Sequence, residues 1–173
     1  MAAGQRLRQG VRALFAFSQP IDLDLAAEYL SPPLLALFRR MKRSEQMHSL
    51  HVLRDVLAQG ETPRDLAAAT LLHDVGKSCY PLWVWQKTLA VLVRAGLPGL
   101  FHRWSQGDAG NRWQRAFVVA VQHPEWSAAM LADAGASETT VWLARHHADD
   151  LAQWAQHPLA NWLARLQQAD DAN

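Results

Sequence analysis

An all-α domain, one compact bundle of roughly eight to ten helices, is the fold class this sequence predicts. Three observations carry that expectation. Strand signals are almost absent, whereas helix starts and stops recur along the chain. At 173 residues, 50% of them apolar, the chain is long enough to bury one real core. No internal repeat or low-complexity linker divides it.

The elements follow in order. Ile21-Asp22 precedes the helical run LDLAAEYL. Ser31-Pro32-Pro33 opens a long helix running from Leu34 to about Ala58, with Ser as N-cap and Pro in the first turn. Gly60 ends it. Thr62-Pro63 starts another helix, with Leu66, Ala69, Thr70 and His73 at helical spacing. Pro81 begins the apolar run LWVWQKTLAVLVRAG, which Gly96-Leu97-Pro98-Gly99 interrupts. Apolar residues surround nearly all of that helix, the pattern of one buried on most sides. SQGDAGN at 105–111 is a loop, and RWQRAFVVAVQ is a helix reaching His123-Pro124. Further helices are expected over about 125–133, 138–147 and 159–171, punctuated by Gly135 and His157-Pro158.

The formal net charge is +1, so bulk electrostatics favours no polyanionic partner and no nucleic acid is expected. Arg6, Arg8, Arg12, Arg39, Arg40, Lys42 and Arg43 make the first quarter basic, the usual look of solvated helix faces. Cys79 is the only cysteine, which rules out an intrachain disulfide, suits a reducing cytoplasm and reads as a small packing residue. The N-terminal run MAAGQRLRQGVRALFAF lacks the continuous apolar segment of a signal peptide, and no stretch reaches the ~18 apolar residues of a membrane span. A cytoplasmic location is the expectation.

The chemistry concentrates in LLHDVGKS at 71–78, which can be read two ways. Gly76-Lys77-Ser78 looks like the end of a phosphate-binding P-loop. That motif needs a glycine where Leu71 stands and a strand before the loop, and DLAAATLLHD is alanine- and leucine-rich helix. The P-loop reading fails. His73-Asp74 looks instead like a pair of metal ligands, and its force comes from company. His48, His123, His146, His147 and Asp170 also lie in or beside predicted helices among apolar residues. Burying so many imidazoles and carboxylates without partners is costly, and a shared cation offsets that cost. Mixed nitrogen and oxygen donors suit Mn, Fe, Co or Zn better than a thiolate-preferring metal.

The ordered set His48-Ser-Leu, Leu72-His73-Asp74-Val75-Gly76-Lys77 and Ala169-Asp170 resembles the HD superfamily of metal-dependent phosphohydrolases, in an HDxGK form, over about 44–171. His123-Pro124 and His146-His147 further resemble its two-metal branch. The resemblance implies a helical core over 34–171 with an N-terminal helical extension at 1–33 and a Trp-rich helical insert at 80–122. It implies that His48, His73, Asp74 and Asp170 bind one divalent cation, and that Asp74 bridges to a second held by His123 and His146. The ion would be Mn, Fe, Co, Zn or Mg, one or two per chain. His147 is an additional metal or substrate contact, since helical neighbours point ~100° apart. Asp74 and Lys77 are the implied catalytic pair, with Lys77 on the substrate phosphate. His51 is a packing histidine beside His48, and His102 and His157, beside breaks, are surface residues. The cyclic-di-GMP branch carries a GYP motif after its histidines; Ala148-Asp149-Asp150 stands there instead, which argues against that activity.

The resemblance implies hydrolysis of a phosphoester or phosphoanhydride, expected in a nucleotide, by metal-activated water. A diadenosine tetraphosphate hydrolase, a cyclic-dinucleotide phosphodiesterase and a nucleoside monophosphatase stay open. The alternative is a non-catalytic regulatory module that binds metal or nucleotide. The insert begins shortly after Asp74 and ends just before His123, so it is expected to wall or roof the pocket, with Arg112 and Arg115 meeting substrate phosphates. Extra core, a peripheral membrane contact or a homo-oligomer contact through the insert are the other readings of its tryptophans.

Overall fold

Over residues 20–173, which the computed structural model describes, the chain is all-α, with nine α-helices, two short 3₁₀ turns and no strand among the described residues. Arg6, Arg8, Arg12 and most of the expected extension lie outside those residues. Asp22 caps α1 (Leu23–Tyr29) by accepting the Leu25 N–H at 3.1 Å. The helix expected to run unbroken to Ala58 is two: α2 (Pro32–Arg40) and α3 (Arg43–Ala58). Met41 and Lys42 between them are extended, although neither is a helix breaker. The break sinks the Met41 side chain into the core and sends the Lys42 ammonium to the Leu82 carbonyl at 2.8 Å. The freed Phe38 carbonyl accepts the Gln46 side-chain amide at 2.8 Å and the Met41 N–H at 3.1 Å, so no buried acceptor is left unpaired there.

Gly60, in the left-handed region at φ +124°, turns the chain out of α3. The next helix, α4 (Arg64–Leu72), is buried at every position from Leu66 to Leu72, and its small alanines let neighbours close in from all sides. A 3₁₀ turn (Val75–Cys79) leads to α5 (Val84–Gly96) and α6 (Pro98–Ser105). Then come α7 (Arg115–Asp133), α8 (Glu138–His146), a 3₁₀ turn (Leu151–Trp154) and α9 (Ala160–Ala172). Pro124 does not end a helix, as the sequence suggested; α7 runs through it. Pro124 removes one backbone donor, a penalty of roughly 3 kcal/mol in a helix interior, which the packing of α7 on α8 and on the first 3₁₀ turn outweighs.

One core cluster joins α1 to α4, with Ala26, Leu34, Phe38, Leu50 and Leu71 buried together, so the N-terminal helices belong to the main body. A second unites α3, α4, α8 and α9 through Val52, Leu66, Leu143 and Leu163. The insert has its own small cluster of Ala90, Ala116 and Phe117. Its helix α5 rests on α6 and α7 and buries only Gln86 and Ala90, leaving Trp83 and Val84 exposed, so the expectation of burial on most sides fails. Cys79 is exposed, its thiol 3.7 Å from the Met130 sulfur, and is no packing residue. Among the described residues no helix is long and apolar enough to cross a membrane.

Candidate metal centre

Five helices deliver the cluster. His48 lies on α3, His73 closes α4, Asp74 leads into the 3₁₀ turn, His123 lies inside α7, His147 closes α8 and Asp170 lies on α9. His73 and Asp74 are deep because α4 is the central helix. Two helices end here, and the partial negative charge of a helix C-terminus favours a cation.

The imidazoles are held by their far nitrogens. His73 Nδ1 lies 2.9 Å from the Thr70 carbonyl, His123 Nδ1 2.9 Å from that of Val119, and His147 Nδ1 2.8 Å from that of Ala144. A carbonyl only accepts, so each Nδ1 must carry the proton and donate it. In its neutral form each ring then turns an unprotonated Nε2 inward, the tautomer of a metal-ligating histidine. His123 Nε2 and His147 Nε2 stand 3.2 Å apart, lone pair toward lone pair. Asp74 Oδ1 is 3.2 Å from the first and 3.7 Å from the second.

These separations are compatible with ligands sharing one ion. Two nitrogens each about 2.1 Å from a cation stand about 3.0 Å apart at a right angle and about 3.4 Å apart at a tetrahedral angle. On the other side of Asp74, His73 Nε2 is 3.6 Å from Asp74 Oδ2 and 3.5 Å from Asp170 Oδ1, with His48 Nε2 2.7 Å from that same Asp170 oxygen. Among the described residues, His73 Nε2 and Asp74 Oδ1 are buried with no hydrogen-bond partner, a costly state for polar atoms that a cation relieves. His48, His73 and Asp74 form one group that could hold a metal ion, and Asp74, His123 and His147 a second.

The electrostatics is that of a site built around positive charge. Burial opposes the Asp74 carboxylate, yet His73, then His123 and His147, hold it well below the ordinary range. Asp170 is likewise lowered, burial being outweighed by the His48 and His73 rings beside it. Burial works against a charged His73 ring, but Asp74 and then Asp170 raise it above its ordinary value. Burial pushes His147 down, and the nearby Asp74 carboxylate does not restore it, so burial favours the neutral ring.

Gly76 shows why the turn is shaped as it is. A Cβ there would meet the His123 carbonyl oxygen at 2.3 Å and the Ser127 nitrogen at 2.8 Å, while the Gly76 N–H donates to Ser127 Oγ at 2.9 Å. The glycine lets the turn lie against the α7 backbone, which brings Asp74 and His123 together. Its φ is not positive, so close approach alone demands it.

His146, expected as a ligand, points elsewhere. Its Nδ1 pairs with Asp149 Oδ2 at 2.7 Å, and its ring packs between Trp142 and Trp154, while the adjacent His147 enters the cluster. His157, expected at the surface, stacks on Trp142 at 3.9 Å in the same aromatic group. His102 is exposed and His51 half-buried. Lys77 sends its ammonium to Asp74 Oδ2 and lines a cavity of about 280 Å³ that opens beside the cluster. Burial opposes the Lys77 charge, and Asp74 raises its pKa above the usual value.

Arg112 and Arg115 do not reach that cavity. Arg115 donates to the Ala109 and Gly110 carbonyls at 2.8 and 3.1 Å and lies against the Tyr80 ring, pinning the 105–111 loop; Arg112 is exposed. A guanidinium just after a loop finds the loop's unpaired carbonyls before any distant phosphate. The cations at the cavity are Lys42, Lys77, Lys87 and Arg94, and of these the sequence singled out only Lys77 as phosphate-binding. The insert does line the cavity, from Leu82 on its first segment to Ala120 on α7. The chain matches no family model, no curated protein and no solved structure.

Proposed function

We propose that the chain is an HD-type metal-dependent phosphohydrolase that cleaves a phosphoester or phosphoanhydride with water. The observation that carries this reading is the close pair of inward Nε2 atoms on His123 and His147, which share Asp74 with the His48, His73 and Asp170 set. His48, His73, Asp74 and Asp170 would hold one cation, and Asp74, His123 and His147 a second. Cations bound there would supply Lewis acidity toward phosphoryl oxygens and lower the pKa of water to where it serves as a nucleophile near neutral pH.

The chain's own residues do the rest. The three Nδ1–H bonds to helix carbonyls fix ring orientation before anything binds, so little reorganisation is left for the reaction. Lys77, at the boundary of cluster and cavity, holds a positive charge where phosphoryl oxygens gather negative charge, and it has donors beyond the one given to Asp74. Lys42 and Arg94 add positive potential that draws an anion to the cavity.

The test is purification without chelator, elemental analysis, and a phosphate-release screen over phosphate esters, anhydrides and nucleotides with added Mn²⁺. The expected result is roughly one to two equivalents of divalent metal and release from at least one class. A His73→Ala, Asp74→Ala double variant should lose both. Unchanged metal content in that variant overturns the site, and a metal-loaded chain that releases phosphate from nothing makes it a non-catalytic binding module.

A further inference from the structure

The cavity beside the cluster has two chemically different parts. Asp74, Lys77 and His123 bring it to the metal-ligating atoms, and Ser78 adds a buried hydroxyl without a hydrogen-bond partner among the described residues. The remaining wall is largely hydrocarbon: Met41, Leu82, Ala90, Phe101, Val119 and Ala120. The charged groups there are Lys42, Lys87, Arg94 and Glu45. Glu45 is taken by Lys87 at 2.5 Å, Lys42 is bonded to a neutral carbonyl, and Arg94 lies 5.6 Å over the Phe101 ring with no acid paired to it among the described residues. The excess charge is positive, and the uncharged wall offers little to the hydrogen-bonding edges of a nucleobase. Each such edge buried unpaired would weaken binding about tenfold or more.

From this chemistry, and resting on the phosphohydrolase reading, we infer that the substrate is the phosphate monoester of an apolar alcohol of about one to two rings in size. It is not a nucleotide. The phosphate lies at Lys77 and the ligand cluster, and the hydrocarbon body lies between α5 and α7. The volume agrees: about 280 Å³ is nearly twice the ~150 Å³ of an apolar cavity that accepts benzene, room for one organic body. The reaction balances with water alone. A water oxygen bonds to phosphorus, the P–O bond to the alcohol breaks, and a proton from water ends on the departing alkoxide: ROPO₃²⁻ + H₂O → ROH + HPO₄²⁻.

Binding to the full chain loaded with Mn²⁺ tests this by titration calorimetry with non-hydrolysable probes: 1-naphthylphosphonate, methylphosphonate and the phosphonate analogue of adenosine monophosphate. The naphthyl probe should bind on the order of 10- to 100-fold more tightly than methylphosphonate, from burial of its ring area. The adenosine probe should gain far less. Ala120→Phe fills the cavity one turn before His123 and should erase the naphthyl advantage over methylphosphonate, with metal content measured on the same sample. Val91 is 67% exposed at the cavity rim, so Val91→Asp tests the same wall without threatening the fold, and should weaken naphthyl binding about tenfold. If the adenosine probe binds as tightly as the naphthyl one, or if both variants leave the naphthyl advantage intact, the apolar-body inference is overturned and the phosphohydrolase reading survives. If no phosphonate binds the metal-loaded chain at all, the parent reading falls, and this inference with it.

Discussion

Gly76→Ala is the sharpest single perturbation of the centre, because it adds one methyl group where backbone meets backbone. The new Cβ would lie 2.3 Å from the His123 carbonyl oxygen, 2.8 Å from the Ser127 nitrogen and 2.9 Å from Ser127 Oγ. The hydroxyl can rotate away, but the first two atoms belong to α7 and can only move with it. An ordinary contact needs about 3.4 Å, so turn and helix must separate by about 1 Å. Overpacking of this kind costs roughly 1–3 kcal/mol, and the lack of a flexible side chain to yield puts this site in the upper half of that range. For a chain of this length, 1 kcal/mol moves Tm by about 2–4 °C, so the expected loss is about 4–12 °C. The shift also draws His123 from Asp74 Oδ1, now 3.2 Å away, and metal sites tolerate only about 0.2 Å of misplacement. Affinity at the His123–His147 set should fall at least about tenfold, with the His48–Asp170 set less affected. Gly99→Ala is the control: a Cβ there meets nothing within 4 Å among the described residues, so stability and metal content should hold. Calorimetric melting and elemental analysis on both variants decide the matter. A Gly76→Ala protein with wild-type Tm and metal content refutes the close-approach argument.

Three other outcomes are expected. His147→Ala should remove metal from the second set, while His146→Ala should keep metal and lose about 1–2 kcal/mol from its ring contacts and its bond to Asp149, as elemental analysis and melting would show. Lys77→Ala should retain metal and lower kcat by about 100-fold or more, read in single-turnover phosphate release; an unchanged rate reduces Lys77 to a structural partner of Asp74. Metal affinity should fall as pH drops, because protons compete for the same Nε2 lone pairs. Each imidazole that must lose a proton contributes up to about one log unit of affinity per pH unit below its pKa. His73, which Asp74 raises despite burial, begins that loss above the ordinary ~6.5, and His147, lowered by burial, joins only at more acid pH. Metal titrations between about pH 5 and 8 should therefore steepen toward acid, and a flat profile would remove imidazole from the ligand set.

Much of the architecture was legible in the sequence because its punctuation is chemical. Asp22, Gly60 and Gly96-Leu97-Pro98 mark boundaries that lie within a residue or two of those observed. The errors came where local rules lose to packing. Met41-Lys42 breaks a helix with no breaker residue because the Met41 side chain is worth more in the core, and Pro124 fails to end α7 because both flanks of that helix are held. His48, His73, Asp74, His123 and Asp170 could be chosen as polar residues in apolar surroundings, a one-dimensional signal. Choosing between His146 and His147 required the helix face, and that too was present. His147 lies four residues after Leu143, a core residue, whereas His146 lies four after Trp142, which is only partly buried.

The cavity was illegible for a different reason. Ala90 on α5 and Ala116 and Ala120 on α7 are ordinary helix formers in sequence, and nothing local marks them as a binding wall. A small side chain leaves space only if the opposite surface is also small, and which surfaces oppose is decided by how α5 and α7 come together. The same logic explains the misassigned arginines. Arg112 and Arg115 were chosen for nearness in sequence to a loop, but their reach is set by the loop's own carbonyls. Arg94, separated from the ligands by long stretches of chain, arrives at the cavity because α5 lies on α7. Ligand chemistry is carried by residue type and can be read along the chain. Substrate chemistry is carried by the space between residues, and that exists only once the helices have packed.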